Sequence, residues 1–180
     1  MAVNLTRPVA PDPYALLPEF PAFSLTSEDL RPGERIPDVH TNTGDARNVS
    51  PQLSWSGFPP QTQSFLVSCF DPDAPGPAGW WHWTLVDVPA TTTSLSRGAG
   101  NPDGSGLPAG ALQLRGDDGV AGYVGAAPPP GDQVHRYYFV VHALDTPSLG
   151  LGPDTMPGAA NTAVLFHTLA RAILVGTYQR

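Results

Sequence analysis

Four side chains in this sequence have types suited to binding or acid–base chemistry: Asp71, His82, His135 and Tyr137. Gathered in one place, two imidazoles and a phenol can donate hydrogen bonds to an anion. A carboxylate beside them fixes an imidazole tautomer or favours the protonated ring. The first two residues lie in DPDAPGPAGWWHW, residues 71–83, and the other two in HRY, residues 135–137. Each fragment also has a plain structural use. DPDAP makes a turn by itself, because Asp side chains mimic backbone and Pro presets φ. A Trp cluster packs a core, and a His that opens a strand can be just a hydrogen-bonded residue.

Whether the four meet depends on the elements that carry them. QSFLVSCFD (63–71), HWTLVDVP (82–89) and HRYYFVVHALD (135–145) are rich in aromatic and β-branched residues and read as strands. Asp71 closes the first and His82 opens the second. The ten residues between them include three prolines and two glycines, a suitable connection between neighbouring strands. Antiparallel pairing would bring Asp71 and His82 to the same rim of the sheet. His135 and Tyr137 share a face of the third strand, because side chains alternate. If that strand starts at the same rim, all four converge; strand order itself is left open by the sequence. Gly125 and the Pro-rich run behind it would then form a rigid wall with close backbone approach. Trp80, Trp81 and Trp83 offer apolar or cation-binding surface.

Nothing marks an activated nucleophile or a metal site. There is no G-x-S-x-G elbow and no H-E-x-x-H. The lone cysteine, Cys69, lies in the apolar run SFLVSCF and is expected in the core. His40, His142 and His167 have no partner at ligand spacing and are read as structural. An Asp71–His82 acid–base pair acting in hydrolysis is the weakest of the functional readings, and no catalytic residue and no cofactor are assigned.

Composition narrows the class. The chain has 180 residues, 41% hydrophobic and only 14% charged, which suits one domain with its own core. The 22 prolines and 19 glycines are spread between apolar runs and read as frequent turns. The net charge is −7, all basic residues are scattered arginines, and there is no lysine. That argues against nucleic acid and against anionic membrane surfaces as partners. No run is long enough for an integral membrane segment, and the Pro- and Asp-interrupted start does not read as a signal peptide. A soluble, cytoplasmic protein is the expectation, and the missing disulfides agree with a reducing compartment. Residues 1–22 read as an extended arm and 23–180 as a single domain. FSLTS (23–27), QLSWSG within 38–59 and the weaker ALQLRGD are further candidate strands. NTAVLFHTLARAILVG (161–176) reads as a helix capped by Asn161, although its β-branched tail could finish as a strand.

Taken together, DPDAP, GWWHWTLVDVP and GAAPPPGDQVHRYYFVVHALD resemble the phosphatidylethanolamine-binding protein family, in particular its bacterial and archaeal Raf-kinase-inhibitor-like branch. SPQLSWSGFP, GYVGAAPPP and FHTLARA extend the likeness over roughly residues 23–178. The resemblance implies a mainly β fold: a large central antiparallel sheet packed on a smaller one, with short helices near the C-terminus. It also implies an anion pocket at one end of the sheet. Carried over position by position, the ligand-binding residues fall on Asp71, Asp73, His82, Gly125, Pro128, Pro129, His135 and Tyr137. Arg136, on the opposite strand face, is read as structural, bonding back to the aspartate-rich loop. The implied function is non-enzymatic binding of a phosphate-bearing or other anionic small molecule or lipid head group. The alternative is inhibition of a protein kinase or protease by direct contact. A homodimer is expected by analogy with bacterial relatives. The eukaryotic members carry a longer C-terminal helix that helps close the pocket, whereas only GTYQR follows the expected helix here, so closure by that route is not expected.

Overall fold

Two of the shortest expected strands are the first to pair. The computed structural model describes residues 4–180, so the first three residues of the expected arm lie outside it. β1 (Ser24–Thr26) and β2 (Leu53–Ser56) run antiparallel with Leu25 opposite Trp55. β3 (Ser64–Asp71) and β4 (Trp80–Pro89) form the long hairpin that the turn DPDAPGP closes. β5 (Ser94–Leu95) joins β2, and β6 (Leu112–Gln113) joins β4. β7 (His135–Leu144) pairs with β3, and β8 (Thr168–Tyr178) pairs with β7. The result is a three-stranded sheet β1-β2-β5 against a five-stranded sheet β6-β4-β3-β7-β8, with every ladder antiparallel. The mainly β, two-sheet fold is as expected.

The core fills the space between the sheets. Leu53, Trp55 and Leu95 of the small sheet pack with Phe65, Val67, Cys69, Trp83, Leu85 and Phe139 of the large one. Alternation along β3 and β7 sends one set of residues inward and leaves Ser68, Val140 and His142 on the far face. That far face is covered too. The arm lays Tyr14 and Leu17 over Tyr138 and Val140, and the C-terminal helix covers Leu66, Val86 and Leu144. Strands buried on both faces read as continuous apolar runs, which is why SFLV and YFVV stand out in the sequence.

The expected helix over 161–176 is largely a strand. The helix α1 occupies Pro157–Ala163, with Met156 as N-cap and Pro157 in its first turn. One 3-10 turn follows at Val164–Phe166, and then the chain extends into β8. Asn161 sits inside the helix and gives its amide to the Pro157 carbonyl (3.0 Å). Val164, Leu165, Thr168, Leu169 and Ala172 fall at helical spacing, but the alternative, that the β-branched tail leaves the helix as a strand, is what forms. Ala170, Ala172 and Leu174 alternate toward the core and meet Ala143, Val141 and Phe139 of β7. The long ladder on β7 outweighs the helical preference of Leu, Ala and Arg. Among the described residues, no helix is long and apolar enough to cross a membrane.

Candidate anion pocket

The pocket begins with a register shift. Cys69 of β3 faces Trp83 of β4, but Phe70 faces Trp81, so His82 is an extra residue on β4. A bulge of this kind re-aims a side chain that strict alternation would send to the other face. His82 therefore joins Trp83 on the core side and meets Asp71, the last residue of β3. Opposite them, β7 starts with His135 and carries Tyr137 one step further on the same face. The rim predicted from strand phase is formed by β4, β3 and β7 lying side by side.

Asp71, His82, His135 and Tyr137 all line one cavity of about 270 Å³, together with Pro75, Trp80, Asp118, Gly125, Pro128 and Pro129. Asp71, His82, His135 and Tyr137 are each buried. The Asp71 carboxylate accepts from His135 Nδ1 at 2.7 Å and lies 3.9 Å from His82 Nε2. The other ring nitrogen of His135 donates to Asp132 at 3.0 Å. With both nitrogens on carboxylates, the protonated ring is favoured. Burial pulls its pKa down, but the bonds to Asp71 and Asp132 outweigh burial and raise it. Burial alone would push the Asp71 carboxyl up; His135 and His82 hold it below its ordinary value. Asp132 is held lower still, first by Arg7 and then by His135.

His82 Nδ1 donates to the Val124 carbonyl at 2.7 Å. In the neutral ring this fixes Nε2 as the unprotonated nitrogen, on the Asp71 side. The Tyr137 hydroxyl is buried near Asp71 and has no partner at hydrogen-bond geometry among the described residues. Burial, then the negative Asp71, raise its pKa, so it remains a phenol with a proton to give. The walls are rigid. A Cβ at Gly125 would run into the His40 carbonyl and the Thr41 backbone, so only glycine lets the chain pass there. Asn48 accepts the Gly125 N–H at 2.6 Å and holds this wall from behind.

Two sequence-derived assignments change. Asp73 does not line the cavity. Its carboxylate accepts from Arg136 Nε (2.7 Å), Arg136 Nη2 (2.8 Å) and the Arg136 backbone N–H (3.0 Å) on the other side of the sheet. The expected bond of Arg136 to the aspartate loop is thus the bond that turns Asp73 away. His135 lines the cavity, but both its N–H groups are already given to carboxylates, so it offers charge and no free donor. The tryptophans divide by position. Trp80 lines the cavity, Trp81 stacks on Phe70 at 4.4 Å on the far face, and Trp83 is fully buried. His40 and His142 are buried, bonding Val49 and Thr168, and His167 pairs with Asp145 at the surface.

The sequence reading passed over Asp132, Asp118 and Arg7. Asp132 stands three residues before His135 in GDQVH, a spacing that can return a carboxylate to the ring. Arg7 carries no local signal, since its partner Asp132 is 125 residues away.

The charged network makes a testable pH window. The raised His135 pKa contributes stability fully below about pH 6.5, the unfolded value, and loses it as pH rises through the folded value. The depressed Asp71 and Asp132 values contribute above about pH 4 and are lost as pH falls through the folded values. His142, buried with its pKa pushed down to about 3, adds a loss as pH falls below about 6.5, so urea unfolding measured from pH 3 to 9 should show greatest stability near about pH 6.5 and a fall on each side. Stability that is flat from pH 6.5 to 9 would mean that His135 is not charged in the folded protein.

A family model described as phosphatidylethanolamine-binding protein matches residues 26–179. The Escherichia coli protein YbcL is 42% identical over 161 residues, 88% of either chain. YbhB from the same organism is 44% identical over 162 residues, 87% of this chain and 99% of its own. The crystal structure of YbcL, described as a member of the mammalian PEBP family, superposes with a TM-score of 0.85, covering 88% of this chain and 98% of that one. A homologue from Chlamydia trachomatis, 29% identical, superposes with a TM-score of 0.74, with the same coverage.

Proposed function

This chain belongs to the phosphatidylethanolamine-binding protein family, and on that premise we propose that it is a non-catalytic binding protein whose pocket takes a phosphoryl group, as in a phospholipid head group or a phosphorylated small molecule. The observation that carries the reading is the Tyr137 hydroxyl, a buried donor with no partner at hydrogen-bond geometry among the described residues, on the wall of a cavity also lined by His135, whose pKa is raised by Asp71 and Asp132. A buried unpaired donor is costly unless a ligand satisfies it. The phosphoryl oxygens accept from Tyr137, and His82 Nε2 takes a proton from the ligand or from solvent and then donates to them. A cavity of about 270 Å³ is below the usual range for drug-sized ligands and suits a head group rather than acyl chains. Asp118 on the same wall is placed to meet an ammonium group, which favours a zwitterionic head group over phosphate alone. Acid–base hydrolysis finds less support: Asp71 is committed to His135 by a 2.7 Å bond, and Cys69 is buried with its thiol pKa pushed well up by burial.

Titration with inorganic phosphate and with phosphoethanolamine, followed on the ring resonances of His82 and Tyr137, tests the reading. Both ligands should shift both rings, and phosphoethanolamine should bind more tightly. If Asp118→Asn removes that difference, the ammonium assignment stands. Saturating binding that leaves both rings unmoved would place the anion elsewhere.

A further inference from the structure

Resting on the anion reading of the pocket, we infer that the N-terminal arm belongs to the binding site, with Arg7 as a positioning residue that clamps Asp132 onto His135 and offsets its charge. Arg7 lies upstream of the stretch matched by the family model, which begins at residue 26. Its guanidinium forms a two-pronged pair with Asp132, Nη1 to Oδ1 at 2.8 Å and Nη2 to Oδ2 at 2.9 Å. Bidentate pairs of this kind fix geometry as well as charge. Nη1 also donates to the Leu5 carbonyl at 2.8 Å, and Nη2 to the Asp73 carbonyl. Arg7 thus ties the arm to both the aspartate loop and the segment that precedes β7.

The pair has a purpose beyond tethering. The Asp132 side chain is 2% exposed, and its Oδ2 accepts from both Arg7 and His135. The chain Arg7–Asp132–His135–Asp71 therefore alternates plus, minus, plus, minus, and sums to zero. Remove Arg7, and a buried network beside the cavity carries a net negative charge. An incoming anion is then repelled, and His135 faces an Asp132 no longer shared with a second cation. The ring should hold its proton more tightly, because one positive neighbour is gone and the carboxylate is freer. The charges facing His135 are Asp71, Asp132 and Arg7, and His82 adds to them only when protonated.

The experiment uses the full chain, inorganic phosphate as probe and the ring titration of His135 by NMR. Arg7→Ala should weaken phosphate binding about fivefold, the scale of one charge acting through a partly shielded interior, and should move the His135 titration upward. Arg7→Lys should restore part of the affinity, since it keeps charge and loses the fork. Arg7→Ala combined with Asp132→Asn should recover phosphate binding, because the network is neutral again. A purely structural strap predicts otherwise: unchanged affinity and an unmoved His135 titration in Arg7→Ala would overturn the inference. If Arg7→Ala does not fold, the Arg7→Lys affinity and titration decide it by the same criteria. If the wild-type chain itself fails to bind phosphate, the anion reading falls. The His135 titration in Arg7→Ala still decides whether the clamp exists.

Discussion

Tyr137→Phe should weaken phosphate binding by at least about tenfold while leaving the unfolding midpoint unchanged or slightly raised. Among the described residues the hydroxyl has no partner at hydrogen-bond geometry, so its removal should cost the ligand-free fold little. A hydrogen bond to a charged group contributes about 1.5–3 kcal/mol, which corresponds to tenfold or more in affinity. Isothermal calorimetry with phosphate and thermal unfolding of the same sample give both numbers. Unchanged affinity would show that the phenol does not touch the anion. His135→Ala is a poorer probe. It leaves Asp71 and Asp132 buried around an empty space with no cation between them, and loss of binding would be confounded by loss of the fold.

Arg136→Ala should destabilise the fold by about 3–5 kcal/mol, the usual result of stripping one partner from a buried carboxylate. The Asp73 side chain is fully buried and takes three of its bonds from Arg136. The backbone bond would survive the substitution and the two guanidinium bonds would not. Arg136 also donates to the Ala10 carbonyl at 2.6 Å, so the arm should loosen together with the loop. Urea denaturation should show the shift, and Asp73→Ala added to Arg136→Ala should recover part of the loss. A change under about 1 kcal/mol would mean that water replaces the guanidinium without penalty.

How much of this was legible in the sequence differs by the range of the interaction. Strand phase alone brought Asp71 to one end of its strand and His135 and Tyr137 to a shared face, because a two-residue period needs no knowledge of the partner strand. The placing of His82 came out correctly for an incomplete reason. It does not open its strand, which starts at Trp80, and it reaches the pocket through a bulge that no local pattern announces. Asp73 was assigned to the pocket by its neighbour Asp71, yet its direction is set by Arg136, 63 residues away. Thr168–Tyr178 misled because Leu, Ala and Arg favour a helix locally, while the open flank of β7 demanded a strand. Arg7 was out of reach altogether, since its meaning depends on a carboxylate that only folding brings near.

The outer flank of β8 bears on how copies of this chain can assemble. Arg171 gives its N–H to the Pro21 carbonyl, the Val175 carbonyl takes the N–H of Gly33, and Thr177 exchanges bonds with Glu34 and Ile36. These parallel bridges act as a hem along a strand that would otherwise recruit neighbours. At the opposite flank β6 offers only two residues. Neither side leaves a long ladder for strand addition, so growth of the sheet from molecule to molecule is disfavoured. Copies of the chain would then pair less readily along the strand that completes the large sheet than through loops or side-chain faces.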